Sequence, residues 1–283
     1  MFKDKVILIT GGSGSLGRAL LERLQGSRAK EIRVLSRSEK GQLALKRDFS
    51  NYPIKLEYIL ADVRDKFAVS QAVKGTDIVI HAAAFKFLDL AEKQARECTL
   101  TNVVGSLNIL EAIVEQGGKV EKCIGISTDK VAYARNVYGA SKHIMEKLFK
   151  EANGQSDTKF SCVRYGNVVG TTGSVATIWQ AQKERGEAIT ITDKRMRRFF
   201  FSIDEAVDLV LYGLEHMTGG EVFVRKMKSY SLYEMAKEVR ADNIVETGMR
   251  PGEKIFETLI ADYEGEEYTS ESEVDDDEIV RLT

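Results

Sequence analysis

Short runs of aliphatic and β-branched residues alternate, over the first 165 positions, with segments whose apolar residues recur at helical spacing. Val6-Ile7-Leu8-Ile9-Thr10 is the first such run and stops at a glycine cluster. A short, uniformly apolar run bounded in this way predicts a strand buried on both faces. Leu16–Leu24 follows with the period of an amphipathic helix. Further strands are predicted at Ile32–Leu35, Leu56–Leu60, Asp77–His81, Lys122–Ser127 and Phe160–Tyr165, and helices over 66–74, 89–116 and 138–152. Strand–helix alternation implies a parallel sheet with right-handed crossovers, so the expected class is α/β with a doubly wound sheet. After residue 165 the alternation loosens. Gly170, Gly173 and the basic cluster Lys194–Arg198 lie in loop-like sequence, with a helix expected over 203–216, a strand over 221–224 and a helix over 231–240. This pattern divides the chain into a dinucleotide-binding domain, 1–165 with 199–224 returning to it, and a smaller C-terminal lobe of 166–198 and 225–263. An acidic tail, 264–283, follows and is expected to be mobile in part.

Composition narrows the class. The chain has 283 residues, 43% hydrophobic and 30% charged, which excludes intrinsic disorder for most of it. Its apolar runs fall well short of the roughly 18 residues of a membrane span. The N-terminus carries no cleavage-type signal. Three scattered cysteines, Cys98, Cys123 and Cys162, have neither metal nor disulfide spacing, and three histidines are too dispersed for a metal cluster. A cytoplasmic, metal-free protein is expected. Net charge is −2, but residues 264–278 hold nine acidic and no basic side chains, leaving 41 basic against 34 acidic elsewhere, a net of +7. That balance is no signature of a nucleic-acid partner and suits a small polyanionic ligand such as a nucleotide sugar.

The first strand ends in Thr10-Gly11-Gly12-Ser13-Gly14-Ser15-Leu16-Gly17, which contains Gly12-x-Gly14-x-x-Gly17. Between a strand and a helix, such glycines allow a tight turn and close backbone approach to a pyrophosphate at a helix N-terminus, the Rossmann-type fingerprint. The second strand ends at Ser36-Arg37, where an NAD site usually places an acid for the ribose 2′-hydroxyl. A guanidinium suits a 2′-phosphate, so NADP is favoured, with NAD as the alternative. Asp62, after the third strand, is placed either for the adenine amino group or as a helix cap. Tyr138 and Lys142 stand four apart on one helical face, where an ammonium favours phenolate and lowers the tyrosine pKa.

These motifs, together with His81-Ala82-Ala83-Ala84, Asn102-x-x-Gly105-Ser106 and Ser127-Thr128, resemble the extended short-chain dehydrogenase/reductase superfamily. Ser127-Thr128-Asp129-Lys130, Arg164–Gly170, Arg195-Met196-x-Arg198-Phe199 and Arg250-Pro251-Gly252-Glu253-Lys254 resemble, within it, the soluble UDP-N-acetylglucosamine 4,6-dehydratases. The resemblance spans residues 5 to about 260 and departs at two places: Ala84-Phe85-Lys86-Phe87 stands for Ala-Leu-Lys-His, and Val131–Val137 lacks Asn-Pro. It implies a tightly held cofactor, bound by Gly11, Ser13, Gly14, Ser15, Leu16, Gly17, Ser36, Arg37, Asp62, Val63, Ala82, Ala83, Ala84, Asn102, Tyr138 and Lys142. The implied chemistry has Tyr138 deprotonate the sugar 4-hydroxyl while Thr128 bonds O4. Lys130, held neutral by burial and the Lys142 charge, removes the C5 proton, and a protonated Asp129 donates to the leaving 6-hydroxyl. Retention or inversion at C5 stays open. Arg250 and Arg198 are diphosphate candidates; Asn167, Lys86 and Glu253 are further substrate candidates; Arg195 and Arg197 read as a solvated basic turn; Asp204 reads as the cap of the 203–216 helix.

Two other functions fit parts of the pattern. A nucleotide-sugar 4-epimerase or dehydrogenase would use Tyr138 and Lys142 but leave Asp129 and Lys130 idle. A non-catalytic NADP-binding regulator would need the glycine loop alone. Dimers or hexamers are expected from the resemblance, by way of the helices around 93–116 and 138–152.

Overall fold

The structure is a computed structural model and describes residues 1–117, 119–171, 174–240, 242–271 and 278–283; Gly173 and 272–277 of the acidic segment lie outside the described residues. Strands β1 (Val6–Thr10), β2 (Glu31–Ser36), β3 (Lys55–Leu60), β4 (Ile78–His81), β5 (Lys122–Ile126) and β6 (Lys159–Arg164) alternate with helices α1 (Ser15–Leu24), α2 (Glu39–Asp48), α3 (Lys66–Val73), α4 (Leu88–Lys93), α5 (Ala95–Thr99), α6 (Gly105–Glu115) and α7 (Val137–Ala152). The second half adds β7 (Asn167–Val168), α8 (Val175–Glu184), β8 (Ile189–Ile191), β9 (Arg197–Phe201), α9 (Ile203–His216), β10 (Val222–Arg225), β11 (Ser229–Ser231), α10 (Leu232–Val239), β12 (Ile244–Glu246), β13 (Thr258–Ile260), β14 (Tyr268–Thr269) and β15 (Ile279–Leu282).

One eight-stranded sheet runs in the order β15-β10-β6-β5-β4-β1-β2-β3. Every neighbouring pair is parallel except β10–β15. This is the expected doubly wound fold. Chain direction through the sheet reverses between β1 and β4, and ligands of such sheets bind in the crevice beyond the strands' carboxyl ends at that point. Burial explains the apolar runs. Ile7 and Ile9 of β1 face the core under α1 and α9, whereas Leu8 faces that under α3, α6 and α7, the two-residue alternation of a strand covered on both sides. A separate small core of Trp179, Ile189, Ile191, Met196, Phe200, Leu232 and Ala236 holds the C-terminal elements together.

Several local expectations change. Ser202, not Asp204, caps α9: its hydroxyl accepts from Glu205 N while the Glu205 carboxylate accepts from Ser202 N, a reciprocal box that a serine three before a glutamate makes and an aspartate inside the first turn does not. Asp65, not Asp62, caps α3. Arg197 and Arg198 belong to β9, and Arg197 bonds Ser229 on β11, so the cluster is only partly a turn. Nor is the 264–283 segment simply a tail. Glu264 pairs with buried Arg164 at 2.7 Å, β14 pairs with β13, and β15 adds an antiparallel edge to the large sheet.

Candidate active site

A cleft of about 530 Å³ opens where β1, β4 and β5 end, between the large sheet and the C-terminal elements. Its floor at one end is the glycine turn. Gly11 has φ +68°, and a Cβ there would fall 2.7 Å from Ala83 N, so only glycine lets the turn after β1 lie against the strand end of β4. Gly14 precedes α1 with no side-chain cap, and the first turn of α1 holds no acidic residue, so its N–H groups are left for a ligand in the cleft. Gly11, Gly14, Ser15, Leu16, Gly17 and Ala82–Ala84 all line this end. These are the features an anionic dinucleotide needs.

The remaining residues expected at the cofactor lie behind or beside that wall. Ser13 and Ser36 hydroxyls share a 2.5 Å hydrogen bond that ties the glycine loop to the end of β2. Arg37 is 56% exposed and 3.7 Å from Asp62. Asp62 accepts from the Arg64 backbone and guanidinium (2.9 and 2.7 Å for the latter); burial pushes its pKa up, but Arg64 outweighs that and the net shift is downward. Val63 is buried against Gly105. Asn102 sits in a π-helical turn, Leu100–Val104, a register slip that often marks a functional element. Its amide accepts from Phe85 N (2.7 Å) and donates to Phe85 O and Ser141 Oγ (both 2.9 Å). Asn102 thus pins the 84–87 loop to α7. His81 is likewise a satisfied core histidine, between Thr10 Oγ1 (2.8 Å) and Ser106 Oγ (3.1 Å), and burial keeps it neutral with a pKa of about 3.

The reacting groups converge in the middle. After β5 the chain makes a 3₁₀ turn, Asp129–Val131, capped by Thr128, and α7 then starts with Asn136 accepting from Gly139 N (2.7 Å). A Cβ on Gly139 would stand 2.1 Å from Lys130 O, so glycine is what lets the Tyr138–Lys142 helix pack on the Thr128–Lys130 turn. Lys130 Nζ donates to Asp129 Oδ1 at 2.8 Å, and Thr128 Oγ1 donates to the same oxygen at 2.9 Å. Asp129 Oδ2 is buried without a hydrogen-bond partner among the described residues.

Electrostatics here correct two expectations. Burial pulls Lys130 down, but the Asp129 and Glu257 carboxylates outweigh it and its pKa is raised above 10.5. A lysine beside two carboxylates keeps its proton. Burial raises Tyr138, and the cation that opposes the rise is Lys130, with the Thr128 hydroxyl also lowering it. Lys142 does not act as that counter-cation: it donates to Met145 Sδ (3.0 Å), and burial lowers it to about 8.

On the substrate side, Lys86, Asn167, Arg198, Arg250 and Glu253 all line the cleft. Arg198 is nearly buried and donates to the carbonyls of Arg197, Ile255 (both 2.8 Å) and Lys254 (2.7 Å). With these bonds Arg198 braces the 254–257 segment and is not the free diphosphate fork expected. Arg250 is exposed at the mouth, 3.2 Å from Asp89, and its N–H donates to the Glu253 carboxylate (2.9 Å). Lys86 lies over the Phe87 ring, and burial lowers its pKa. Asn167 donates to Phe199 O at 3.1 Å. Glu257, buried beside Lys130, was not anticipated, although it is the one charged residue in the run Ile255–Ile260. Among the described residues, no group of His, Cys, Asp and Glu is placed to hold a metal ion.

The family model described as polysaccharide biosynthesis protein matches residues 7–276. The chain belongs to this family. This polysaccharide biosynthesis protein is 41% identical to the UDP-N-acetylglucosamine 4,6-dehydratase (inverting) of Campylobacter jejuni subsp. jejuni serotype O:2, over 92% of this chain and 79% of that one. It is also 40% identical to a UDP-glucose 4-epimerase of Rickettsia akari, with the same coverage of 92% and 79%. In three dimensions it matches Pen from Bacillus thuringiensis with a TM-score of 0.89 and 32% identity, over 99% of this chain and 94% of the other. No helix among the described residues is long and apolar enough to cross a membrane.

Proposed function

We propose that this polysaccharide biosynthesis protein is an NADP-dependent UDP-N-acetylglucosamine 4,6-dehydratase. The observation that carries the reading is the buried Asp129–Lys130 pair, 2.8 Å apart, on the turn that abuts Tyr138 in one cleft. Epimerisation at C4 needs only removal and return of a hydride and a proton there. Loss of water across C5 and C6 needs an additional acid and base, which that pair supplies. The relative named as an inverting dehydratase supports the same reading.

Residues 1–165 with 199–224 are assigned to the cofactor, and 166–198 with 225–263 to the sugar nucleotide. The N–H groups of the first turn of α1, beside the glycine turn, would hold the pyrophosphate, and Arg37 would take the 2′-phosphate. When bound, the nicotinamide supplies a hydride acceptor at C4 and a hydride donor at C6. Tyr138, as phenolate, takes the proton of the 4-hydroxyl and becomes a phenol; Lys130 and the Thr128 hydroxyl are the groups that favour its ionised form, and Lys142, with a pKa of about 8, exchanges a proton near neutral pH. The C4 ketone acidifies C5–H. The pair becomes competent when the proton on Lys130 crosses the 2.8 Å hydrogen bond to Asp129. Lys130 is then an amine that accepts the C5 proton, and Asp129 an acid that gives its proton to O6 as the C6–O6 bond breaks and water leaves. Arg250 at the mouth faces the diphosphate.

The test is incubation with UDP-N-acetylglucosamine in heavy water, followed by mass spectrometry and NMR of the sugar nucleotide. Loss of one water with deuterium at C5 is the expected result. A product of unchanged mass with inverted C4 would establish the epimerase reading, which the Rickettsia relative's name favours. No turnover of any nucleotide sugar would leave cofactor binding as the only activity.

A further inference from the structure

Glu257 lines the cleft just before β13 and is 3% exposed. Its Oε1 lies 4.0 Å from Lys130 Nζ and 3.8 Å from Arg198 Nε; its Oε2 lies 3.9 Å from Lys254 Nζ and has no hydrogen-bond partner among the described residues. Each of those cations directs its short hydrogen bonds elsewhere: Lys130 to Asp129, Lys254 to Ala132 O (2.6 Å), Arg198 to backbone carbonyls. A carboxylate retained for structure closes its contacts, because an unfilled buried acceptor is costly. Here three cations ring a carboxylate at charge–charge range, with one oxygen left bare. The charged groups facing it are Lys130 and Asp129 from the turn after β5, Arg198 from β9 and Lys254 from its own segment.

We propose that Glu257 is a positioning residue for the dehydration step, a fixed countercharge that stabilises the ammonium formed on Lys130 when the C5 proton is removed. The inference rests on the dehydratase reading. At that moment the C5–H bond breaks, an N–H bond forms on Lys130, and the electron pair passes into the sugar as the enolate of the C4 ketone. Asp129 still carries its own proton until O6 leaves, so it offers no negative charge. A buried ammonium without a countercharge is strongly disfavoured. Glu257 supplies that charge from behind Lys130 and takes part in no proton transfer. Burial raises its own pKa, and Lys130, Arg198 and Lys254 oppose the rise.

The test is Glu257→Gln, with Glu257→Asp as the conservative partner. In the ligand-free protein, Lys130 is titrated by NMR of its side-chain carbon, assigned through its loss in Lys130→Arg. A charge 4.0 Å away is worth a shift of about one pH unit or more, so Lys130 titrates lower by that amount in the glutamine variant. Glu257→Asp moves it back toward the wild type. In turnover, the pH profile of C5 deuterium exchange moves with Lys130, whereas cofactor reduction on C4 oxidation stays within about threefold of wild type. A folded Glu257→Gln in which Lys130 titrates as in the wild type overturns the proposal. Should that variant fail to fold, difference infrared spectroscopy on Lys130→Met decides. With Lys130 gone, Glu257 loses one of its three cations while still facing Asp129, so its pKa moves further up than in the wild type. A Glu257 carboxyl band that titrates in Lys130→Met as it does in the wild type overturns the proposal. If the wild type never removes water from UDP-N-acetylglucosamine, the dehydratase reading fails by itself, while the Lys130 titration still judges Glu257.

Discussion

Gly139→Ala separates catalytic geometry from stability. The added methyl would sit 2.1 Å from the Lys130 carbonyl oxygen and 3.2 Å from Asn136 Oδ1. A carbon–oxygen contact needs about 3.3 Å, so α7 and the Thr128–Lys130 turn must part by about 1 Å. Overpacking of this kind costs roughly 1–3 kcal/mol. Against it stands the helix preference of alanine over glycine, about 1 kcal/mol. The net loss is therefore about 0–2 kcal/mol, or a melting point lower by no more than roughly 8 °C. Catalysis has no such offset. Tyr138 and Lys142 ride on the displaced helix and Asp129 and Lys130 on the turn, and a misplacement of about 1 Å costs on the order of 100-fold in kcat. The assay is steady-state water loss from UDP-N-acetylglucosamine beside a thermal melt. Ala140→Gly, next door but exposed, is the mirror control: it loses about 1 kcal/mol of stability and leaves kcat alone. A Gly139→Ala enzyme with kcat within about threefold of wild type would refute the claim that this contact sets the site.

Other variants divide the reaction and the fold. Lys130→Ala should still reduce its bound cofactor on adding the sugar nucleotide but release no water, and full dehydration by it would remove Lys130 as the base. Tyr138→Phe should instead slow that first reduction by about 100-fold or more, read by absorbance of the reduced cofactor in a single turnover. Arg37→Ala should weaken NADP about tenfold or more and leave NAD within about twofold in equilibrium titration; equal losses for both would remove the 2′-phosphate contact. Glu221 governs acid stability. Burial pushes it up, but hydrogen bonds from Ser161 and Thr218 outweigh this and hold it at about 2, against 4.5 when free. Its contribution, on the order of 2 kcal/mol, is present above about pH 4.5 and fades as pH falls toward 2, so Glu221→Gln should flatten the denaturant midpoint over that window.

The sheet was legible because two-sided burial leaves an unmistakable mark: β1 is VILIT and β4 is IVIH, with helices on both faces. The C-terminal elements left weaker traces. β7, β8 and β14 are two or three residues long, too short for any period to register. α2 buries little beyond Gln42 and Leu45, so its apolar stripe is thin, and its clearest mark is the Ser38 cap. β15 is short and, among the described residues, pairs along one side, with β10, and its sequence reads as the end of an acidic tail. In the site, spacing located Tyr138 and Lys142 because four residues is one helical step, whereas Glu257 reaches Lys130 across 127 positions that no local period spans. Charge states were the least legible of all. They depend on which groups the fold gathers: Asp129 adjoins Lys130 in sequence, but only the fold turns its carboxylate and that of Glu257 onto the Lys130 ammonium.

Two buried lysines of one cleft show what that gathering does. Lys142 has a thioether at 3.0 Å and no carboxylate within ion-pair distance among the described residues, and burial brings it to about 8. Lys130 is as deeply placed, yet the carboxylates of Asp129 and Glu257 carry it the other way. The desolvation is similar, so the neighbours decide the sign. Lys142 can therefore gain or lose a proton near neutral pH, as the proposed reaction asks of the group one helical step from the phenol. Lys130 cannot; its proton leaves only to Asp129, across a bond already made. That confinement couples base and acid. On the dehydratase reading we propose, Lys130 becomes an amine only as Asp129 becomes an acid, so the site is never ready to remove the C5 proton without also being ready to release O6. On that reading the enolate of the ketosugar forms beside an acid already poised at O6, while C4 oxidation remains a separate, earlier step that Lys130→Ala is expected to retain.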